Sequence, residues 1–364
     1  MDVLRYSRQL ALPGFGQEAQ GRLEGARVLV IGAGALGSAV IPALAAVGIG
    51  TIGIADDDIV EVSNLPRQLV HGIADVGRSK VASAAHTVAT LNPATNVERY
   101  EFAIDAASAV ALFAEFDLVV DGSDNFPTRY LTSDAVAAAG IPLVWGAVSQ
   151  YGGQVGASNA PLTPGYRDLF PFPAAPGSVL SCEVGGVLPT VCATIGSIMA
   201  TEVIKIVTGI GIPLYGRVTT MNALTGGFRE LSYGHDPAAE TIDPLSFDYR
   251  LFCGLPSETL TVSAAGLATE LALDARLQLI DVREPWEVEI AALPGAVLLP
   301  LADLERGVPA ELDASRPTVV YCHHGIRSQR GLELLQAAGF SSVRHLEGGL
   351  DAWARTVDPT LARY

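Results

Sequence analysis

Two stretches of this chain carry residue types at spacings that could do chemistry. The first is Gly32-Ala33-Gly34-Ala35-Leu36-Gly37, which fits G-x-G-x-x-G directly after the apolar run Val28-Leu29-Val30-Ile31. Glycines there let the backbone approach a phosphate, and the N-terminus of a following helix offers unpaired N–H groups and the positive end of its dipole. Asp56 follows Gly34 by about 20 residues, where an acid at the end of a second strand can hold ribose hydroxyls. This pattern specifies a nucleotide and no more, since an NAD-dependent oxidoreductase would share it. The second stretch is Val319-Val320-Tyr321-Cys322-His323-His324-Gly325-Ile326-Arg327-Ser328, read as strand, short loop and helix. A loop that wraps backbone N–H groups about one point makes an anion-binding concavity. A cysteine at its base should ionise readily, with Arg327 and the helix end favouring the thiolate. Four residues separate Cys322 from Arg327. Related loops that hold a phosphate are one residue longer, so the tighter ring suits a terminal sulfur, as in a persulfide.

What separates ATP from NAD is the segment after the acidic cluster Asp56-Asp57-Asp58. Ser63-Asn64-Leu65-Pro66-Arg67-Gln68 follows, and Lys80 lies further on. Transfer of an adenylyl group builds negative charge on the α-phosphate and on departing pyrophosphate, which calls for Arg, Lys and Mg2+. Arg67 and Lys80 could supply the first two. Asp121-Gly122-Ser123-Asp124-Asn125 puts carboxylates after the strand 117–120, at the edge where open sheets bind ligands. Taken together these residues favour ATP.

The elements that must position them are short apolar strands alternating with helices. Strands are expected at 28–31, 51–55, 117–120 and 142–145, with helices over Ala35 to Val47, Leu131 to Ala139 and Val191 to Thr208. That alternation implies a Rossmann-like, mostly parallel, doubly wound α/β sheet. A proline-rich stretch over 160–181 reads as a long loop, strand-like segments follow at 216–222 and 227–231, and residues 234–258 read as a polar linker. A second, smaller α/β unit is expected from Thr259, with strands at 277–280 and 318–321 and a helix over Ser328 to Ala338.

With 364 residues and 49% hydrophobic composition, two or three domains with sizeable cores are expected. The formal net charge of −16 opposes a phosphate backbone, so nucleic acid is a poor partner. Only two lysines, Lys80 and Lys205, stand against 21 arginines, which singles each of them out. Cys182, Cys192, Cys253 and Cys322 are far apart in sequence and suit a reducing cytoplasm better than a disulfide framework. Val28 to Ala55 carries no charge, yet its glycines and Pro42 fit strand–turn–helix–strand better than a membrane span. A soluble, cytoplasmic protein is expected.

The motifs Arg5-Tyr6-Ser7-Arg8-Gln9, the glycine turn, Ser63 to Gln68, Gly77-Arg78-Ser79-Lys80 and Asp121 to Asn125 occur in this order. In them residues 1–250 resemble the MoeB/ThiF branch of the ubiquitin-activating-enzyme superfamily. The resemblance implies that ATP adenylates the C-terminal Gly-Gly carboxylate of a small ubiquitin-like sulfur carrier of the MoaD/ThiS kind. It implies that Asp56 binds ribose, that Ser63, Asn64, Arg67 and Lys80 bind phosphates, and that Asp124 holds Mg2+ with Asn125 beside it. Gly34 and Ala35 would offer backbone to the nucleotide, along with Gly32 and Gly37 of the turn. Arg8 matches an arginine that reaches into a neighbouring subunit, which implies a homodimer. Cys182 matches a cysteine that receives the activated acyl group as a thioester or resolves a disulfide.

Residues 259–364 resemble a rhodanese domain, through Leu279 to Glu287, Leu293-Pro294-Gly295-Ala296 and Leu346 to Trp353 around the Cys322 loop. That implies sulfane sulfur on Cys322, supplied by a cysteine desulfurase or thiosulfate, and delivery to the carrier as a thiocarboxylate. Molybdenum-cofactor or thiamine biosynthesis would use such a product. Many relatives bind a structural zinc through two Cys-x-x-Cys pairs. The matching positions here are Gly165 and Asp168, then Ala239 and Ile242, none of them a soft ligand, so no structural zinc is expected.

Overall fold

The computed structural model describes residues 1–174, 185–236, 242–245, 247–254, 260–273, 276–309 and 312–362. The chain divides into two units, Met1–Tyr249 and Arg250–Tyr364. In the first, helices α1 (Val3–Leu10) and α2 (Gly16–Gly25) precede β1 (Arg27–Ile31), α3 (Gly37–Val47), β2 (Thr51–Ala55), α4 (Lys80–Leu91) and β3 (Asn96–Tyr100). Next come α5 (Ala106–Phe113), β4 (Leu118–Asp121), α6 (Phe126–Ala139), β5 (Leu143–Ser149) and β6 (Gly152–Ser158). The one-turn α7 (Tyr166–Leu169), then α8 (Pro189–Thr208), β7 (Arg217–Asn222) and β8 (Gly227–Ser232) complete it. The sheet order is β3-β2-β1-β4-β5-β6-β7-β8, parallel through β5 and antiparallel beyond.

Val28, Leu29 and Val30 of β1 are fully buried because helices cover both faces of a parallel sheet. Each such side chain contributes about 1.5–3 kcal/mol by leaving water. Two helices start elsewhere than the apolar pattern suggests. α3 begins at Gly37 rather than Ala35, and α6 begins at Phe126, five residues ahead of Leu131, because the Asn125 carboxamide accepts the Thr128 N–H at 2.9 Å as its cap. Strand β6 has no apolar run to announce it. Its glycines are steric: a Cβ at Gly153 would lie 2.5 Å from Ile195, and one at Gly156 would lie 2.4 Å from the Trp145 ring. α8 is long and apolar enough to cross a membrane by length and composition, yet Val191, Ile195, Met199 and Val203 are buried in the same core as β1 and α3.

A short helix, α9 (Tyr249–Phe252), lies at the division of the chain. The second unit runs β9 (Thr261–Val262), α10 (Ala264–Leu273), β10 (Gln278–Asp281), α11 (Pro285–Ile290), β11 (Val297–Leu298), α12 (Leu301–Leu304), β12 (Thr318–Tyr321), α13 (Ile326–Ala337), β13 (Val343–Leu346) and α14 (Gly349–Thr356). Its five strands are all parallel, in the order β11-β10-β12-β13-β9. Strand alternation splits the core: Leu279, Val319 and Tyr321 pack on one side, Ile280, Val320 and Cys322 on the other.

The region around Gly165 and Asp168, where the resemblance would set a first Cys-x-x-Cys pair, is held by hydrogen bonds. Asp168 accepts the Gly165 N–H at 2.6 Å and the Asp236 N–H at 2.8 Å, and lies 3.0 Å from His235 Nδ1. Gly165 and Ile242 supply no donor atom, and Ala239 is outside the described residues, so this set does not fit a tetrahedral N/S site. Beside it Arg167 forks onto Asp134 with two bonds of 2.7 Å, and the Tyr249 hydroxyl donates to the same carboxylate at 2.9 Å. The Arg167 guanidinium also lies over the Tyr130 and Phe247 rings. The stretch expected as a polar linker is therefore pinned to the first unit at 235–236, 247 and 249. Substituting Asp134→Ala leaves the half-buried Arg167 without its forked partner, which should lower the unfolding free energy of this unit by about 2 kcal/mol. Urea denaturation of the full chain checks this; an unchanged midpoint would show that the pair does not hold the segment.

Candidate functional site

The parallel register sets Ile31 beside both Ala55 and Asp121, so β1, β2 and β4 end side by side. The glycine turn, Asp56 and the Asp121–Asn125 turn leave from those three ends, where the strand order reverses between β1 and β4. The two turns touch. A Cβ on Gly32 would lie 3.1 Å from the Gly122 carbonyl oxygen, and one on Gly37 only 2.0 Å from that of Gly32. Gly34 differs, for its added Cβ would meet only Gln68 Nε2 at 3.7 Å, an ordinary contact. Nothing among the described residues demands glycine at 34.

The Ala33 peptide is clamped from both sides. Asp56 Oδ2 accepts its N–H at 2.7 Å, while Oδ1 accepts the Asp58 N–H at 2.9 Å. Burial pushes the Asp56 carboxyl up, and the nearby Lys80 charge opposes that shift. His71 Nε2 lies 3.0 Å from the Ala33 carbonyl oxygen, and its Nδ1 lies 2.8 Å from Ser83 Oγ. Burial lowers the His71 pKa and favours the neutral ring, so Nε2–H donates to the carbonyl and Nδ1 accepts the Ser83 hydroxyl. Neither His71 nor Ser83 stands out in the sequence; the one available signal is that Ser83 shares a helix face with Lys80.

Lys80 is buried, its ammonium 2.6 Å from Asp58 Oδ2. The other lysine, Lys205, is paired with Glu202 and bonded to the Ile212 carbonyl, away from this edge in sequence and in contacts. Ser63, Asn64 and Arg67 bond within their own loop. Asn64 Oδ1 accepts the Glu61 N–H, the Ser63 hydroxyl donates to Glu61, and Arg67 Nη1 donates to the Ser63 carbonyl at 2.8 Å. Asp121 is fully buried, with Oδ1 accepting the Ser123 N–H at 2.8 Å and Oδ2 lacking a hydrogen-bond partner among the described residues. Burial raises its pKa against the pull of Arg129, whose Nη2 donates to the Ser123 carbonyl at 2.7 Å. That buried group holds the turn from which Asp124 stands exposed. Asn125 serves as the α6 cap through Oδ1, which leaves its amide hydrogens for any ligand. Arg8, in the last turn of α1, is exposed and makes no ion pair among the described residues.

In the second unit Cys322 follows β12 and is buried. Gly325, at φ +95°, turns its N–H onto Cys322 Sγ at 3.1 Å and opens α13. The loop is seated on the start of α14: Leu350 N–H donates to the Cys322 carbonyl at 2.8 Å and Asp351 N–H to that of His323 at 3.0 Å. Gly349 lies beneath, where a Cβ would be 2.5 Å from both carbonyl oxygens, which explains the Gly348-Gly349 pair. Arg327, expected to favour the thiolate, is held in an ion pair. It forks onto Glu287 of α11 at 2.6 and 2.7 Å, because a carboxylate with only 4% of its side chain exposed requires a matching cation. The groups that hydrogen-bond Sγ are the Gly325 N–H and the Ser328 hydroxyl, 3.7 Å away. Cys182 lies outside the described residues.

Comparison with known proteins matches residues 6–241 to the ThiF family and residues 265–356 to the rhodanese-like domain. The chain is 44% identical, over all of its own length and 95% of the relative's, to the probable adenylyltransferase/sulfurtransferase MoeZ of Mycobacterium tuberculosis. It is 39% identical to the adenylyltransferase and sulfurtransferase MOCS3 of Bos taurus, over all of this chain and 88% of that one. Among solved structures, E. coli MccB with ATP superposes at a TM-score of 0.57 with 21% identity, over 65% of this chain and 73% of that chain, a likeness of fold.

Two measurements follow from this geometry. Gly34→Ala should fold with a melting temperature close to that of the parent yet bind ATP more weakly, whereas Gly37→Ala should cost about 3 kcal/mol or more of stability through its backbone clash. Equal stability of the two variants would contradict the assignment of Gly37 to packing and Gly34 to ligand approach. The second concerns His345, whose pKa burial lowers to about 4 from the ordinary 6.5, with Glu347 opposing and Arg250 adding to the shift. The unfolded chain thus takes up that proton first. The stabilisation is complete above pH 6.5 and declines by about 3 kcal/mol as pH falls towards 4. Urea unfolding, followed by reaction of Cys322 with a dithiopyridine, should show this decline in the parent and a flatter profile in His345→Asn.

Proposed function

From a chain that belongs to the ThiF family and ends in a rhodanese-like domain, we propose an ATP-dependent sulfurtransferase acting on a small ubiquitin-like sulfur carrier. The observation that carries this reading is the shared edge of β1, β2 and β4, where a glycine turn, Asp56, Lys80 and Asp124 converge. The nicotinamide alternative gains nothing from relatives named for adenylyl and sulfur transfer.

A carboxylate is a poor electrophile. Adenylation replaces its oxygen with a good leaving group: one carboxylate oxygen attacks the α-phosphorus of ATP, and pyrophosphate departs with the bonding pair. In this reading Asp56 holds the ribose hydroxyls, while Gly34 and Ala35 let the phosphates approach the backbone. Lys80 and Arg67 turn from Asp58 and the Ser63 carbonyl to the phosphates, with Ser63 and Asn64 alongside, and so offset the charge that builds in the transition state. Asp124 is an exposed hard oxygen donor, which fits Mg2+, an ion that takes one or two carboxylates with substrate phosphates. When bound, Mg2+ supplies charge neutralisation on those phosphates. Arg8 would reach the site of a second copy, in a homodimer.

The second half begins with Cys322 accepting sulfane sulfur from a desulfurase persulfide or thiosulfate. The terminal sulfur then attacks the acyl carbon of the adenylate and AMP leaves, giving an acyl disulfide. Attack by the Cys182 thiolate on the Cys322 sulfur releases the carrier thiocarboxylate and leaves a Cys182–Cys322 disulfide, which a cellular thiol reduces. Splitting one difficult displacement into several lowers each barrier. Joining both activities in one chain raises the effective concentration of persulfide near the adenylate. Cytoplasm, where thiol reductants act, suits this cycle.

ATP–pyrophosphate exchange tests the first half. Exchange should require a carrier ending in Gly-Gly, and Asp124→Ala should lower it by about a hundredfold or more. Exchange without any carrier, or untouched by Asp124→Ala, would defeat this reading.

A further inference from the structure

Behind the cysteine loop lies a hydroxyl–imidazole pair that the steps above do not use. Ser328, in the first turn of α13, and His345, on β13, are both buried to within 1% of complete. Ser328 Oγ lies 3.7 Å from Cys322 Sγ, 2.9 Å from the Gly325 carbonyl oxygen and 3.3 Å from His345 Nδ1. A hydroxyl has one hydrogen and two lone pairs. With its hydrogen on the Gly325 carbonyl, its lone pairs receive the Cys322 S–H and a hydrogen on His345 Nδ1. His345 is then the Nδ1–H tautomer, and the atom without a partner is a bare Nε2 acceptor. A buried orphan acceptor is tolerated better than a buried orphan N–H. Burial also disfavours the imidazolium, against Glu347 and with Arg250, so the ring does not take the thiol proton.

When Cys322 is anionic, the Ser328 lone pair that received S–H would face a negative charge. The hydroxyl must turn its hydrogen from the Gly325 carbonyl to sulfur. An Nδ1–H donor to the same oxygen occupies one of its lone pairs, favours that orientation and polarises the O–H bond. We propose that His345 is a positioning residue for sulfur transfer, holding the Ser328 hydroxyl as a donor to anionic Cys322 Sγ beside the Gly325 N–H. This rests on the reading of Cys322 as the sulfane-sulfur carrier.

The step it serves follows from where charge develops. In loading from thiosulfate the Cys322 thiolate attacks the outer sulfur, a new S–S bond forms, and sulfite leaves with the electron pair of the old one. Charge leaves Sγ in that step. In discharge an acceptor attacks the terminal sulfur, the S–S bond breaks, and its electron pair returns to Sγ as thiolate. Charge arrives at the atom that Ser328 and Gly325 face, so the pair should matter for discharge more than for loading.

The full chain, loaded with thiosulfate and verified as Cys322 persulfide by mass spectrometry, is mixed with cyanide, and thiocyanate release is timed. Ser328→Ala should slow discharge about ten- to a hundredfold, the worth of a hydrogen bond to a charged group. His345→Asn, whose amide places an N–H where Nδ1 stood, should stay within about threefold of the parent, whereas His345→Gln, which does not, should match Ser328→Ala. Ser328→Ala combined with His345→Gln should be no slower than Ser328→Ala alone, since the two act through one bond. Parental discharge in His345→Gln, equal loss in the Asn and Gln variants, or additive losses in the double variant would overturn the proposal. Should neither histidine variant load, Ser328→Ala decides alone, and an unchanged discharge rate overturns it. A parent chain that never forms the persulfide instead defeats the reading of Cys322, and the inference with it.

Discussion

Two turns at the ends of neighbouring parallel strands come so close that a Cβ on Gly32 or Gly122 would press on the other turn's backbone. Gly37 lies against the Gly32 carbonyl, and Gly122 against Ile31 and the start of α3. That contact locks the crevice between β1 and β4, and it leaves the Ala33 peptide at its rim. Asp56 then takes the Ala33 N–H and His71 its carbonyl. The acid expected to meet a ribose thus also holds the loop expected to meet a phosphate. In the proposed function a nucleotide would find that loop already oriented, which is how a rigid site lowers the cost of organising charge during reaction.

The second unit repeats the device on a smaller scale. A parallel strand ends, a left-handed glycine turns the chain, and a helix N-terminus opens over the reactive atom. Here glycine at 349 lets α14 press against the cysteine loop, and the first N–H groups of that helix satisfy the loop carbonyls. With its carbonyls turned down, the loop presents N–H to the sulfur. Arg327 forks onto Glu287, while Sγ accepts the Gly325 N–H and lies within hydrogen-bond reach of the Ser328 hydroxyl.

How much of this was legible depends on how local its cause is. β1, β2 and β12 are unbroken apolar runs bounded by turns, and the sequence alone places them within a residue of their observed ends. β8, though exposed along its whole length, is expected at 227–231 and lies at Gly227–Ser232, whereas β3, with no buried residue, and the glycine-rich β6 carry no apolar run to announce them. Asp56, Lys80, Asp124 and Cys322 stood out by residue type beside a turn. His71, Arg129, Ser328 and His345 did not, because their partners are assigned by folding: Ser328 and His345 lie 17 positions apart and meet only when β13 pairs with β12. The ion pair of Arg327 was hidden for the same reason, since its partner Glu287 lies 40 positions away. The polar stretch after residue 234 looked like free linker because the Asp168 and Asp134 bonds that pin it come from helices far back in the chain.

In the proposed function both halves answer one chemical problem: a terminal carboxylate must become an electrophile, and a sulfur atom must be delivered as a nucleophile without escaping as free sulfide. The intact mass of the carrier reports on both at once. With full-length chain, ATP, Mg2+, thiosulfate, a thiol reductant and a Gly-Gly-ended β-grasp protein, the carrier should gain the mass of oxygen replaced by sulfur, and should not gain it with Cys322→Ala. A carrier that stays unchanged, or that becomes thiolated equally well without Cys322, contradicts the account.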